Sequence, residues 1–211
     1  LFSSAHGLVK GDIFCLYDQA NGSWMTTRNE YRAGERFEVM GVNGNLVYLD
    51  HPVQWSWSYD ASTRKAWKQT MNRGRIQGFT LLAPTGIATN YGTYMAGFKR
   101  GGISDINLGG TGTSGMDLYQ CFDTIAERIN SSNILSSGSN AAYPLTISAS
   151  TLTKVRDGTV ASTWHCLDFG GYDEFMSIPS YNSWFEDMNI AGTGTSTSSA
   201  SACNIHGNAD Q

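Results

Sequence analysis

The feature that most constrains this chain is a short pattern that keeps returning between Ile76 and Ile190. Five segments carry it: Ile76-Gln77-Gly78-Phe79-Thr80-Leu81, Ile103-Ser104-Asp105-Ile106-Asn107-Leu108, Ala126-Glu127-Arg128-Ile129-Asn130-Ser131, Leu152-Thr153-Lys154-Val155-Arg156-Asp157 and Phe185-Glu186-Asp187-Met188-Asn189-Ile190. The first, second and fifth read apolar, two polar, apolar, polar, apolar; the third and fourth keep the first two apolar positions. Their starts, at Ile76, Ile103, Ala126, Leu152 and Phe185, follow one another at similar intervals. One turn of a coil built from three short strands takes roughly 20 to 30 residues, which is the scale of those intervals. Each segment is therefore expected to be the same strand in successive levels of a parallel solenoid. One apolar position per level is forced to face the narrow core, the polar pair marks a bend, and the outer turns vary in length. A β-sandwich gives no reason for such a period.

Composition agrees with an all-β chain. Of 211 residues only 15% are charged, while Gly alone contributes 24, with Ser, Thr and Asn also abundant. Turn formers thus outweigh helix formers. A net charge of −4 offers no basic patch, which argues against a nucleic-acid partner. No stretch approaches the roughly 20 apolar residues of a membrane helix. Leu1-Phe2-Ser3-Ser4 has neither the charge nor the apolar run of a secretory signal. The chain lacks an initiator Met and stops at Gln211 beyond a core-like segment, so it reads as a portion of something longer. The aromatic share of 12% suits either core packing or stacking on sugar rings.

None of Cys15, Cys121, Cys166 and Cys203 forms a C-x-x-C pair, so no zinc knuckle or redox motif is implied. The last three sit in apolar strand-like segments and are expected to be buried free thiols of a protein assembled in a reducing cytosol. Asn21-Gly22-Ser23 and Asn130-Ser131-Ser132 match a glycosylation acceptor pattern and are read as turns. Gly110-Thr111-Gly112-Thr113-Ser114-Gly115 has dinucleotide-loop spacing, but Met116 to Phe122 alternates like a strand and no helix follows. A nucleotide site is rejected. No acidic run has calcium-loop spacing. No cofactor and no metal are expected.

Residues 1–72 are expected to form a small β lead-in unit and residues 73–211 the solenoid, incomplete at its C-terminal end. In the lead-in, Val9-Lys10-Gly11-Asp12 reads as a turn before a strand Ile13 to Tyr17. Arg36 to Val42 and Leu46 to Asp50 flank Asn43-Gly44-Asn45, a strong hairpin signal. Gln19 to Ala33 is read as a surface loop, and residues 54–72, with four aromatic rings, as a connection. Asn133 to Ala142 and Thr193 to Ala202 are read as loops thrown out between strands.

Several stretches resemble a known group. Gly7 to Asp12, Tyr31-Arg32-Ala33-Gly34-Glu35 and Val42 to Val53 resemble the segment leading into the pectate-lyase-like β-helix of phage tailspikes and tail fibre-like proteins. Trp164-His165-Cys166-Leu167-Asp168-Phe169-Gly170-Gly171 and Asn204-Ile205-His206-Gly207-Asn208-Ala209 resemble two further landmarks; where that group has Asp before His-Gly, this chain has Asn204-Ile205. The resemblance implies a right-handed single-stranded parallel β-helix. It also implies a homotrimer on the virion tail or appendage, assembled in the host cytoplasm beside other tail proteins. Such a protein recognises bacterial surface polysaccharide, and depolymerisation by a hydrolase or lyase is the enzymatic form of that task. A non-enzymatic receptor-binding or structural fibre is the alternative.

Glycoside hydrolysis needs two carboxyl groups within roughly 5 to 10 Å. Asp168, Asp173 and Glu174, which bracket Gly170-Gly171, and Glu186 and Asp187 further on, are the candidate catalytic residues. Elimination would instead use His165 or Lys154 as base. The competing reading of each acid is a solvated outer position. His165, alternating with Leu167 and Phe169, is expected to share their core-facing side, and His206 to cap a turn.

Overall fold

The computed structural model describes residues 2, 5–18, 32–54, 64–82, 93–110, 114–134, 143–162, 165–170, 178–193 and 201–205. Among them every regular element is a β-strand. The chain divides into two units, Leu1–Met71 with Asp173–Pro179, and Asn72–Tyr172 with Ser180–Gln211.

The first unit holds β1 (Ile13–Asp18), β2 (Gly34–Asn43), β3 (Leu46–Leu49) and β4 (Arg64–Gln69) in an antiparallel sheet of order β3-β2-β1-β4. The Asn-Gly signal is a two-residue turn: Asn43 pairs with Leu46, and Gly44 takes φ 56°, a conformation that costs glycine nothing. Strand β4 corrects the reading of residues 54–72 as a mere connection, since Trp67 pairs with Cys15 along β1. Leu8, Phe14, Phe37 and Val39 make this unit's own core.

The second unit is a parallel solenoid. Its strands are β5 (Arg75–Leu82), β6 (Thr93–Ala96), β7 (Gly102–Gly109), β8 (Ser114–Tyr119), β9 (Ile125–Ile134), β10 (Tyr143–Ser148), β11 (Lys154–Arg156), β12 (Thr159–Ser162), β13 (His165–Gly170), β14 (Trp184–Glu186), β15 (Asn189–Thr193) and β16 (Ser201–Ile205). One sheet has five strands in the order β16-β13-β10-β8-β6; the other has seven, with β11/β12 and β14/β15 occupying single levels. All these pairs are parallel. Leu108, Ile129, Val160, Leu118, Ile147 and Leu167 are among the side chains that fill the space between the sheets.

Each level bends at residues with positive φ, and these stack. Gly78, Asp105, Arg128, Asp157 and Asp187 form one corner ladder in the seven-stranded sheet. Gly97, Gln120 and Ala149 turn the chain after β6, β8 and β10, and Arg100, Asp123, Leu152 and Asn182 turn it again. The polar pair of the repeat is thus a bend, with its second residue in the left-handed region, which Asp, Asn and Gly tolerate best.

The register places the fourth repeat later than its sequence pattern suggests. Val155 lies beside Ala126 and Phe185, so that unit is Val155-Arg156-Asp157-Gly158-Thr159-Val160. The true starts are Ile76, Ile103, Ala126, Val155 and Phe185, and Leu152 is a corner residue at φ 54°. Gly158 hides the signature. A Cβ there would stand 2.7 Å from Met188 Cε and 2.5 Å from the Ile129 carbonyl oxygen. The methionine of the next level occupies the place that an apolar side chain of this level would take.

Two smaller expectations also change. Asn130-Ser131-Ser132 lies inside β9 rather than in a turn. Cys15, Cys121 and Cys166 are buried free thiols, but Cys203 is exposed. Residues 135–142 and 194–200 of the two expected loops, and 19–31 of the lead-in loop, lie outside the described residues.

Candidate functional site

Strand alternation sorts the solenoid's side chains into inward and outward rows, and two outward faces carry chemistry. On the five-stranded sheet, Leu167 and Phe169 turn inward, which leaves Asp168 on the opposite side. Asp168 is in register with Thr146, and Thr146 with Asp117 on β8. The two acids are therefore two strand spacings apart along one row, about 10 Å between Cα atoms. Both are buried, each 3% exposed.

Their carboxyls lean the same way along the strands. The Ser148 hydroxyl hydrogen-bonds Asp117, while Asp168 Oδ2 and Ser148 Oγ lie 3.1 and 3.0 Å from the place a Cβ on Gly170 would take. Gly170 leaves room for this convergence. Burial raises the Asp117 carboxyl to about 7, the Ser148 hydrogen bond opposes the rise, and the Asp168 charge adds to it. One member of the pair thus holds a proton near neutral pH, as a general acid must. Tyr94, in register with Asp117, is exposed and stacks on Tyr119 with ring centroids 5.4 Å apart.

The outer face of the seven-stranded sheet is built from two rows. Arg75, Gly102, Ile125, Lys154 and Trp184 form one; Gln77, Ser104, Glu127, Arg156 and Glu186 form the other. Here acids and bases alternate. Arg156 Nη2 stands 2.8 Å from Glu127 Oε2, and Arg128 Nη1 3.0 Å from Glu127 Oε1. Arg128 also forks onto Asp105, with Nε 2.6 Å and Nη2 3.2 Å from its two oxygens. Lys154 Nζ lies 2.6 Å from Glu186 Oε2 and 4.9 Å from the centre of the Trp184 ring.

These cations hold the carboxyls down. Arg156 first and then Arg128 lower Glu127, Lys154 lowers Glu186, and Arg128 brings Asp105 to about 2. None of the three can lend a proton at neutral pH. Exposed Ile125 and Trp184 flank Lys154 in one row, Glu127, Arg156 and Glu186 stand in the row beside it, and a groove of about 390 Å³ opens above Gly101 and Gly102.

The structure separates the acids that the sequence grouped. Asp168 is on the five-stranded sheet; Glu186 and Asp187 are on the seven-stranded one. Asp187, at φ 51°, is a corner residue. Asp173 and Glu174 lie outside the described residues, as does His206. His165 is buried against Tyr143, ring centroids 5.5 Å apart, on the core-facing side expected of it. Lys154 is committed to Glu186 and Trp184. Sequence reasoning missed Asp117, Glu127 and Arg75. A signal existed for the first: Met116-Asp117-Leu118 and Leu167-Asp168-Phe169 share an apolar-Asp-apolar pattern.

A stacked parallel coil with short corners and two facing sheets is a parallel β-helix, and solved structures share that fold. Residues 109–211 match the family model of Gp49, pectin lyase-like. The tailspike gp49 of Pseudomonas phage LKA1 is similar over 99% of this chain and 34% of that one, with TM-score 0.82 and 22% identity. The tailspike gp61 of Pseudomonas phage phi297 is similar over 89% and 31%, with TM-score 0.69 and 26% identity. The gp54 tailspike of Acinetobacter baumannii bacteriophage AP22, solved in complex with A. baumannii capsular saccharide, is similar over 88% and 30%, with TM-score 0.67 and 20% identity. The chain spans about a third of the length of these tailspikes. No curated protein matches its sequence.

Proposed function

We propose that this chain belongs to a phage tailspike and that its solenoid binds bacterial surface polysaccharide through the outer face of the seven-stranded sheet. The observation that carries this reading is that exposed Ile125 and Trp184 flank Lys154 in one row of that face, beside a row of charged Glu127, Arg156 and Glu186. Apolar and aromatic surfaces take the carbon faces of sugar rings, and forked charged groups take their polar substituents. A homotrimeric assembly on the virion tail, put together in the host cytoplasm with other tail proteins, completes the proposal.

Cleavage is the second reading, favoured by one observation: a protonatable Asp117 two strands from Asp168. Hydrolysis needs such a pair, but a polymer must also reach it, and both carboxyls are buried. Binding is accordingly the stronger reading. Incubating the full-length spike with host-type capsule or lipopolysaccharide distinguishes the two. Retention of the polymer without shortened products is the expected result. Shortened products that vanish in Asp168→Asn would establish cleavage, and neither retention nor products would reduce the protein to a structural shaft.

A further inference from the structure

We propose that the N-terminal segment forms a proton-sensitive clasp on the tip of the β2–β3 hairpin, closed while His6 is neutral and released when its ring takes a second proton. The clasp lies wholly within the first unit and is independent of the saccharide-binding reading.

His6 uses both ring nitrogens. Nδ1 accepts the Leu8 N–H at 3.0 Å, and Nε2 stands 3.2 Å from the Gly44 carbonyl oxygen. A backbone N–H can only donate, so Nδ1 carries a lone pair, and the proton of the neutral ring sits on Nε2, aimed at Gly44. Leu8 can turn its N–H back to His6 because Gly7 takes φ 65°, a left-handed conformation open to glycine at no steric cost. A second contact fixes the start of the segment: the Phe2 N–H donates to the Asn45 carbonyl at 2.9 Å. Two residues of the segment thus hold two successive carbonyls of the hairpin turn.

What the clasp covers is the core of its unit. Leu8 is buried with Phe14, Phe37 and Val39, and Phe2 packs against them. The rings of His6, Phe2, Phe14, Phe37 and His51 form one row, with successive centroids 4.9, 6.1, 5.7 and 4.8 Å apart. The two histidines that end this row meet acid differently. His51 Nδ1 lies 3.0 Å from Asp50 Oδ2, so a cation there is met by a carboxylate. Among the described residues no carboxylate pairs with His6. The facing tip, Asn43 to Leu46, carries no charge, and Tyr48 further along β3 is exposed. Of the charged groups on its own segment, Lys10 is exposed and Asp12 is taken by the Val9 N–H and Lys68. Glu35 shares the Phe37 face of the sheet and accepts the Gln54 N–H. Cys15, Arg36 and Glu38 alternate onto the other face. A proton on Nδ1 therefore turns the acceptor of the Leu8 N–H into a second donor, and no anion offsets the loss. The closed form has no place for that proton and the open form does, so acid favours release.

Hydrogen exchange of the full-length protein, read by mass spectrometry at pH 8 and pH 5 and corrected for the pH dependence of exchange itself, tests the clasp. The peptide spanning residues 2–12 should exchange about tenfold faster at pH 5, the effect of losing one or two hydrogen bonds. Peptides from β7 and β9 should stay protected at both. His6→Asn retains through Oδ1 an acceptor for the N–H two residues on and does not titrate, so its segment should stay protected at both pH values. His6→Phe keeps a ring but no acceptor, and its segment should exchange fast at both. Equal protection of the wild-type segment at pH 8 and pH 5 would overturn the proposal. So would an acid opening that persists in His6→Asn, which would assign the response to another group.

Discussion

The two outer faces of the solenoid use the same spacing to opposite ends. On the five-stranded sheet two acids, Asp117 and Asp168, flank Thr146; on the seven-stranded sheet two acids, Glu127 and Glu186, flank Arg156. Thr146 brings no charge, and both acids are buried, so desolvation raises Asp117 to about 7. On the open face cations stand beside the acids: Arg156 and then Arg128 take Glu127 below its ordinary range, and Lys154 does the same for Glu186. Burial and the cations beside the acids decide whether a ladder of acids stores a proton or a network of ion pairs. The first face has the protonation state that cleavage needs and lacks access; the second has access and lacks a proton.

The largest effect that tests this contrast is at Asp117. Its folded-state value stands above the unfolded value of 3.8, so the stability it contributes is complete below pH 4 and is lost as pH rises through about 7. Asp117→Asn removes that loss. The variant should match wild type near pH 4 and exceed it at pH 8 by on the order of 4 kcal/mol, read from urea midpoints. An equal difference at both pH values would show that burial does not hold the proton. Asp168→Asn should give a smaller gain in the same pH window, because its charge is the least of the causes acting on Asp117.

On the open face, Arg156→Thr would place an uncharged residue between Glu127 and Glu186, as on the buried face. The Glu127 carboxyl should then titrate closer to the usual glutamate range, as carboxyl NMR would follow, while Tm moves by less than about 4 °C because exposed pairs contribute little. Glu127 should not rise to the level of Asp117, since Arg128 remains beside it. The smallest effect belongs to Asp105. Its depressed value, about 2, means that its stabilising contribution is present above pH 4 and fades as pH falls toward 2. Asp105→Asn should flatten the acid limb of the stability profile, matching wild type near pH 2 and lying below it by a constant amount above pH 5.

The coil was legible because a narrow core forces an apolar residue at the same point of every level, at Ile76, Ile103, Ala126 and Phe185. It was misread where the interior solved the problem differently, at Gly158, whose space Met188 fills from the next level. β4 escaped notice because its partner, β1, is remote in sequence. The Asp117–Asp168 row was invisible for the same kind of reason: only the register through β10 sets the two acids in one line. Glu186 and Asp187 are adjacent in the chain, yet one makes an ion pair and the other a corner, a difference set by backbone φ.

By itself the sequence determined the repeat, the all-β class, the hairpin at Gly44 and the resemblance to tailspikes. These are local or periodic properties, written in composition, alternation and turn chemistry. The tertiary structure alone decided which acids share a row, which side chain lies between them and which face is buried. Those facts depend on register between strands a full turn of the coil apart, and outer turns of unequal length hide that register from the sequence.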